Sequence, residues 1–77
     1  MNKSRKKQLL SLREQLGDVK DNVEMLKEEE QECYDNLPES LQCSEKGETM
    51  EEWIDKLDDL CYSLDDAVSN FEELELD

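Results

Sequence analysis

Apolar residues recur in this chain at alternating steps of three and four. Leu9, Leu12, Leu16, Val19, Val23, Leu26, Glu30, Cys33 and Leu37 follow one another in this way, with Glu30 the one charged member. Met50, Trp53, Leu57, Leu60, Leu64, Ala67, Phe71 and Leu74 do the same. Such steps return each side chain to one side of an α-helix, and a seven-residue beat held over several heptads is the pattern of helices that pack along their length. A half-buried strand would need strict alternation, which neither run shows. Two long helices are therefore the expected elements. Leu9 and Met50 are taken as heptad position a, Leu12 and Trp53 as position d.

The segment YDNLPESLQCSEKGE separates the two runs. Pro38 cannot continue a helix and biases Leu37 toward extended backbone, while Asp35, Asn36 and Ser40 favour turns. The first helix is expected over about residues 3–35, a linker over 36–43, and the second helix over about 44–75. Thr49-x-x-Glu52 offers a later start as a capping box. At 1.5 Å per residue the helices would be about 50 Å and 48 Å long. Matched rods and a short link predict one domain over 1–77, an all-α antiparallel helical hairpin.

The second helix also carries apolar residues at position e, namely Ile54, Cys61 and Val68. One partner helix covers a two-row seam; it is not expected to cover this third row, nor to bury Trp53 and Phe71 fully. A long apolar strip left on so small a rod predicts a homodimer closed as a four-helix bundle, with a groove for a foreign helix as the competing use. The expected core and dimer residues are thus Leu9, Leu12, Leu16, Val19, Val23, Leu26, Trp53, Ile54, Leu57, Leu60, Cys61, Leu64, Val68 and Phe71. Glu30 on the seam is costly to bury unpaired. Water at the loop end, Lys46, the Tyr34 hydroxyl and a role in fixing register all remain open to it.

Charge narrows the partners. The chain holds 23 acids against 9 bases, a net charge of −14. Lys3, Arg5, Lys6, Lys7 and Arg13 occupy the first 13 residues with no acid among them. The antiparallel hairpin predicts that the first four lie near Glu72, Glu73, Glu75 and Asp77 and are neutralised there; a basic binding tail is the alternative. The remainder repels nucleic acid and anionic membranes, so direct binding to either is not expected, whereas a basic protein surface is favoured. No stretch reads as a signal peptide or a bilayer span. Three widely spaced cysteines without a CxxC pair fit a reducing cytoplasm.

The acids of the second helix arrive as Glu51-Glu52, Asp58-Asp59, Asp65-Asp66 and Glu72-Glu73, each pair seven residues after the last. All fall at positions b and c, about 10 Å apart at 1.5 Å per residue. The heptad explains the recurrence but not the absence of lysine, because charge of one sign repels itself. Two readings follow: the solvated face of a very soluble bundle, or a ridge that imitates a nucleic-acid backbone, which carries one charge per about 1.7 Å. The candidate contact set is Glu51, Glu52, Asp55, Asp58, Asp59, Tyr62, Asp65, Asp66, Glu72 and Glu73. The linker tip, with Tyr34, Asn36, Leu37, Pro38 and Leu41, either carries recognition or plugs the end of the bundle.

Reaction chemistry is not expected. The chain has no histidine, which removes the commonest general base and the usual partner of a Ser or Cys nucleophile. Di-iron Glu-x-x-His pairs and a calcium-binding helix–loop–helix are both missing from the sequence. The EEEQE run at 28–32 would hold cations only loosely, and three scattered thiols do not make a zinc site. No catalytic residue, metal ligand or cofactor is assigned. Cys33 and Cys61 read as small core residues, and Cys43 as an exposed thiol.

The segment EEEQECYDNLPESLQCSEKGETMEEWIDKLDDL, residues 28–60, resembles small acidic proteins of bacteriophages and other bacterial mobile elements. In these a Glu-rich helix runs through a linker like YDNLPESLQ, here Tyr34 to Gln42, into a second acidic helix. Proteins of that kind tend to carry Ala at the positions of Cys33 and Trp53. The resemblance implies a bacterial cytoplasmic setting and an inhibitory binding role, since short acidic phage proteins often antagonise host machinery such as CRISPR effectors. The function expected is a non-enzymatic acidic protein that occupies a basic nucleic-acid-binding surface of a host protein; the alternative is a structural or regulatory coiled-coil module that binds a partner helix through its apolar strip.

Overall fold

The computed structural model describes residues 1–76, and all of its regular structure is helical. Helix α1 spans Lys3–Asp35, α2 is a single turn at Glu39–Gln42, and α3 spans Glu45–Glu73. Asn2 caps α1, its side-chain oxygen accepting from the Arg5 amide at 2.8 Å, which satisfies one of the donors a helix start leaves unpaired. Helices α1 and α3 lie side by side as a hairpin with principal extents of 59 × 14 × 13 Å. The molecule is a rod two helices wide, with no third layer.

The linker departs from the irregular segment expected over 36–43, because α2 forms within it. Pro38 stands at its N-cap, where a missing N–H costs nothing. Gln42 then reaches back, and its Nε2 donates to the carbonyls of Tyr34 and Leu37 at 3.1 Å each. The Tyr34 carbonyl is among those that the end of α1 leaves without a partner four residues on, and the Leu37 carbonyl belongs to the linker. Ser44 is the N-cap residue of α3, but its hydroxyl donates to the Leu41 carbonyl rather than capping the helix. The capping box at Thr49 does not form. Thr49 lies inside α3 and its hydroxyl donates to the Glu45 carbonyl at 2.9 Å. Gly47 is buried in the first turns of α3, where a Cβ would overlap the Gln42 carbonyl. Glycine is required there because the backbone of α2 runs directly over it.

The seam of the hairpin is made by rows a and e, not a and d. On α1 the half-buried residues include Leu9, Leu16 and Val23 of row a with Arg13, Lys20, Lys27 and Tyr34 of row e. On α3 they include Met50, Leu57, Leu64 and Phe71 of row a with Ile54 and Val68 of row e, together with Asp58 of row b and the small Ala67 of row d, and Cys61 of row e is buried at 6% exposure. The expectation that Ile54, Cys61 and Val68 form the leftover row is therefore corrected. Leu12, Val19, Leu26, Trp53, Leu60 and Leu74, all in row d, stand between 44 and 57% exposed instead. Rows a and e are neighbours one helical turn apart, just as a and d are, so either pair can form a seam. Turning α1 toward its e row lays the aliphatic stems of Lys20 and Lys27 along α3 and carries their charges to its acids.

At its far end α3 stops at Leu74, and Glu75 adopts a left-handed conformation with φ 50°. The Glu75 amide bonds the Glu72 carbonyl at 3.1 Å, and Leu76 turns inward to 7% exposure, as the residue after a left-handed cap commonly does. The accessible surface is 6023 Å². A compact monomer of 9.1 kDa would expose about 4,900 Å². No helix among the described residues is long and apolar enough to cross a membrane.

Candidate interaction surfaces

The two helices enclose two opposite lateral faces of contrary character. One is a polar ladder. Lys20 pairs with Asp65, Lys27 Nζ lies 3.0 Å from Asp58 Oδ1, and the Tyr34 hydroxyl donates to Glu51 Oε1. Each rung joins row e of α1 to row b of α3, and each pair of residue numbers adds to 85. Lys20 also lies 3.9 Å from Glu24. The hydrogen bonds to Asp65 and Asp58 raise the Lys20 and Lys27 ammonium groups above their usual value, because proximity to a carboxylate favours the charged form. Donation to Glu51 pushes the Tyr34 hydroxyl up to about 12, since ionising it would set two anions side by side.

This ladder divides the acidic doublets. Glu51, Asp58 and Asp65 turn toward α1 and are partnered. The second members, Glu52, Asp59, Asp66 and Glu73, point away from the hairpin seam and are exposed, with Asp55 and Tyr62 beside them. Glu52 meets Lys56 at 3.4 Å; Asp59, Asp66 and Glu73 form no ion pair among the described residues. The lysines missing from the acidic helix thus sit on its neighbour. Row e of α1 reads Arg13, Lys20, Lys27, Tyr34 at the same seven-residue step as the acids, and matching that row against row b in antiparallel order is the signal that finds the ladder.

The other face is an apolar groove. Its shoulders are the exposed d rows, and a recess in it is lined by Leu26, Glu29, Glu30, Cys33, Trp53 and Leu57. Glu30 therefore faces this recess and water, while the Tyr34 hydroxyl is engaged elsewhere. Lys56 Nζ stands 5.5 Å from the centre of the Trp53 ring, a cation–π contact at the groove edge. Of the linker-tip residues, Tyr34 and Leu37 are half-buried, and Asn36, Pro38 and Leu41 are exposed. Tyr34 is held by Glu51, so part of the tip is committed to closing the hairpin.

The basic start does not lie against the acidic end. In the register of the ladder, residue 12 of α1 is level with Glu73, the last residue of α3, so Lys3, Arg5, Lys6 and Lys7 project past the end of α3. None of the four forms an ion pair among the described residues. The local neutralisation expected from matched rods fails because the linker sets the helices out of step by about two turns; Asp77, one of the expected partners, lies outside the described residues. Compared with known proteins, the chain matches no family model, no curated protein and no solved structure.

Proposed function

We propose that this chain is a non-enzymatic acidic binding protein that acts in a bacterial cytoplasm by laying the outer side of α3 on a basic surface of a host protein, of the kind that holds a nucleic-acid backbone. The observation that carries this reading is the division of the doublets. The intrachain ladder engages the first acid of three pairs, Glu51, Asp58 and Asp65, and leaves Asp59, Asp66 and Glu73 exposed, without an ion pair among the described residues and evenly spaced along a rigid rod. A ladder that neutralised the whole surface would leave no such row. The resemblance to small phage proteins makes an inhibitor of a host defence enzyme, including a CRISPR effector, the first candidate class.

A second reading is favoured by a different observation. The d rows are exposed along the length of the groove, which suits an assembly module that binds a helix through apolar contacts.

Retention of bacterial lysate proteins on the immobilised chain separates the two. The acidic reading expects capture at low salt, release at high salt, and loss of capture by Asp59→Asn with Asp66→Asn, substitutions that leave the ladder intact. Capture that resists salt and is lost instead by Leu26→Glu or Leu60→Glu would replace the first reading with the second. Ile54 and Val68 are unsuitable test positions because they lie in the hairpin seam.

A further inference from the structure

The groove face has a composition unlike the rest of the molecule. Flanking its d rows are the g rows of both helices: Gln8, Gln15, Asn22 and Glu29 on α1, and Thr49, Lys56, Ser63 and Asn70 on α3. Six of these eight are uncharged, on a chain that is 42% charged. Depletion of charge around an apolar centre is the mark of a surface that leaves water on association. The elongated shape leaves surface to spare: the hairpin exposes about 1,100 Å² more than a compact chain of its mass.

The occupant is indicated by the two ends of the rod. Residues 28–52, around the linker, hold ten acids and the single base Lys46. The opposite end carries the projecting turns of α1, with Lys3, Arg5, Lys6 and Lys7 and no intrachain ion pair among the described residues. Two copies joined groove to groove in parallel would set acidic end on acidic end and basic end on basic end. Two copies joined antiparallel would set each basic projection beside the acidic end of the other. Opposed signs steer association and fix orientation, and like charges brought together penalise the alternative.

We infer that a second copy of this chain covers the groove, in antiparallel orientation about a two-fold axis, forming a four-helix bundle in which the basic start of each α1 lies against the acidic linker end of the other copy. Such a bundle buries Leu12, Leu26, Trp53 and Leu60 and leaves row c of α3 outside on both flanks. The orientation follows from the groove and the ends of the rod, and it holds or fails independently of what the acids of α3 bind.

The test uses the native chain. Sedimentation at tens of micromolar should give about 18 kDa, twice the mass of the chain. Mixing ¹⁴N and ¹⁵N chains, joining lysines to carboxylates with a zero-length carbodiimide, and sorting mixed-isotope peptides then reads the orientation. Links from residues 3–7 of one copy to residues 28–48 of the other are expected. Intercopy links from residues 3–7 to Glu72 and Glu73 instead would overturn the orientation, and a 9 kDa species would overturn the second copy altogether. Leu26→Glu with Leu60→Glu should halve the sedimenting mass while the helical spectrum persists; an unchanged mass would mean that the groove is not the interface.

Discussion

Lys27 and Asp58 meet across the hairpin with Nζ 3.0 Å from Oδ1, and Lys20 and Asp65 repeat the contact one heptad away. Both pairs join segments that are far apart in sequence, so they hold α1 against α3 as well as balance charge. Their side chains are part-exposed, a setting in which ion pairs add little stability singly and are weakened by salt.

Their pH dependence has a definite sign. Both lysines hold their proton more tightly when folded than the ordinary value of 10.5. Their contribution is therefore complete below that value and is lost as pH rises through the raised folded value. Urea midpoints followed by circular dichroism should be insensitive to these pairs between pH 7 and about 10, and should fall at more alkaline pH. Lys20→Met with Lys27→Met should make that alkaline fall shallower.

Tyr34 gives a direct optical report on the third rung. In a Tyr62→Phe background, absorbance at the tyrosinate wavelength should place Tyr34 ionisation at about 12, against 10.0 for the free side chain. Glu51→Gln removes the neighbouring negative charge and should bring the transition down toward the ordinary value. The stabilisation linked to this rung is present below pH 10 and disappears as pH rises through the folded value.

The two glycines should respond oppositely to alanine. A Cβ at Gly17 has open space within 4 Å, so Gly17→Ala should stabilise α1 by about 1 kcal/mol through helix propensity. At Gly47 the same change drives a methyl group into the Gln42 backbone, and the strain should exceed the propensity gain, for a net loss of about 2 kcal/mol. Urea denaturation of both variants at equal concentration measures the contrast.

How much of this could be read from the sequence depends on which contact decides each feature. The heptad runs placed α1 and α3 to within about two residues, because a helix of many turns announces itself at every turn. The choice of seam was less legible. Leu12, Leu26 and Leu60 suggest rows a and d as strongly as Ile54, Cys61 and Val68 suggest a and e, and apolar content alone does not separate them. The cations Lys20 and Lys27 decide the matter through acids more than 30 positions away. Gly47 was opaque for a related reason: its constraint comes from the backbone of Gln42 folding over it, and nothing in the local pattern encodes that approach. The projection of α1 beyond α3 likewise depends on α2, a turn too short for periodicity to reveal.

Thiol chemistry offers a check on burial. Cys61 is buried between the helices and Cys43 is exposed, as expected, but Cys33 is exposed rather than in the core, because it stands in the d row that faces the groove. In folded protein a chromogenic disulfide reagent should modify two thiols rapidly and the third only at the rate of hairpin opening. Urea should make all three equivalent. Three fast thiols in the folded state would place Cys61 outside the seam.

A zipper whose teeth are all alike has no preferred starting tooth. Displacing α3 by one heptad would offer Lys20 to Glu72, Lys27 to Asp65 and Tyr34 to Asp58, and the apolar rows would mesh again. The rods are thus nearly indifferent to their own offset, and the turn at Gln42 and Gly47 supplies the zero mark from which both are counted. Lengthening that turn should allow several offsets to coexist, each equally well toothed, so the shortest element of the chain governs the alignment of the two longest.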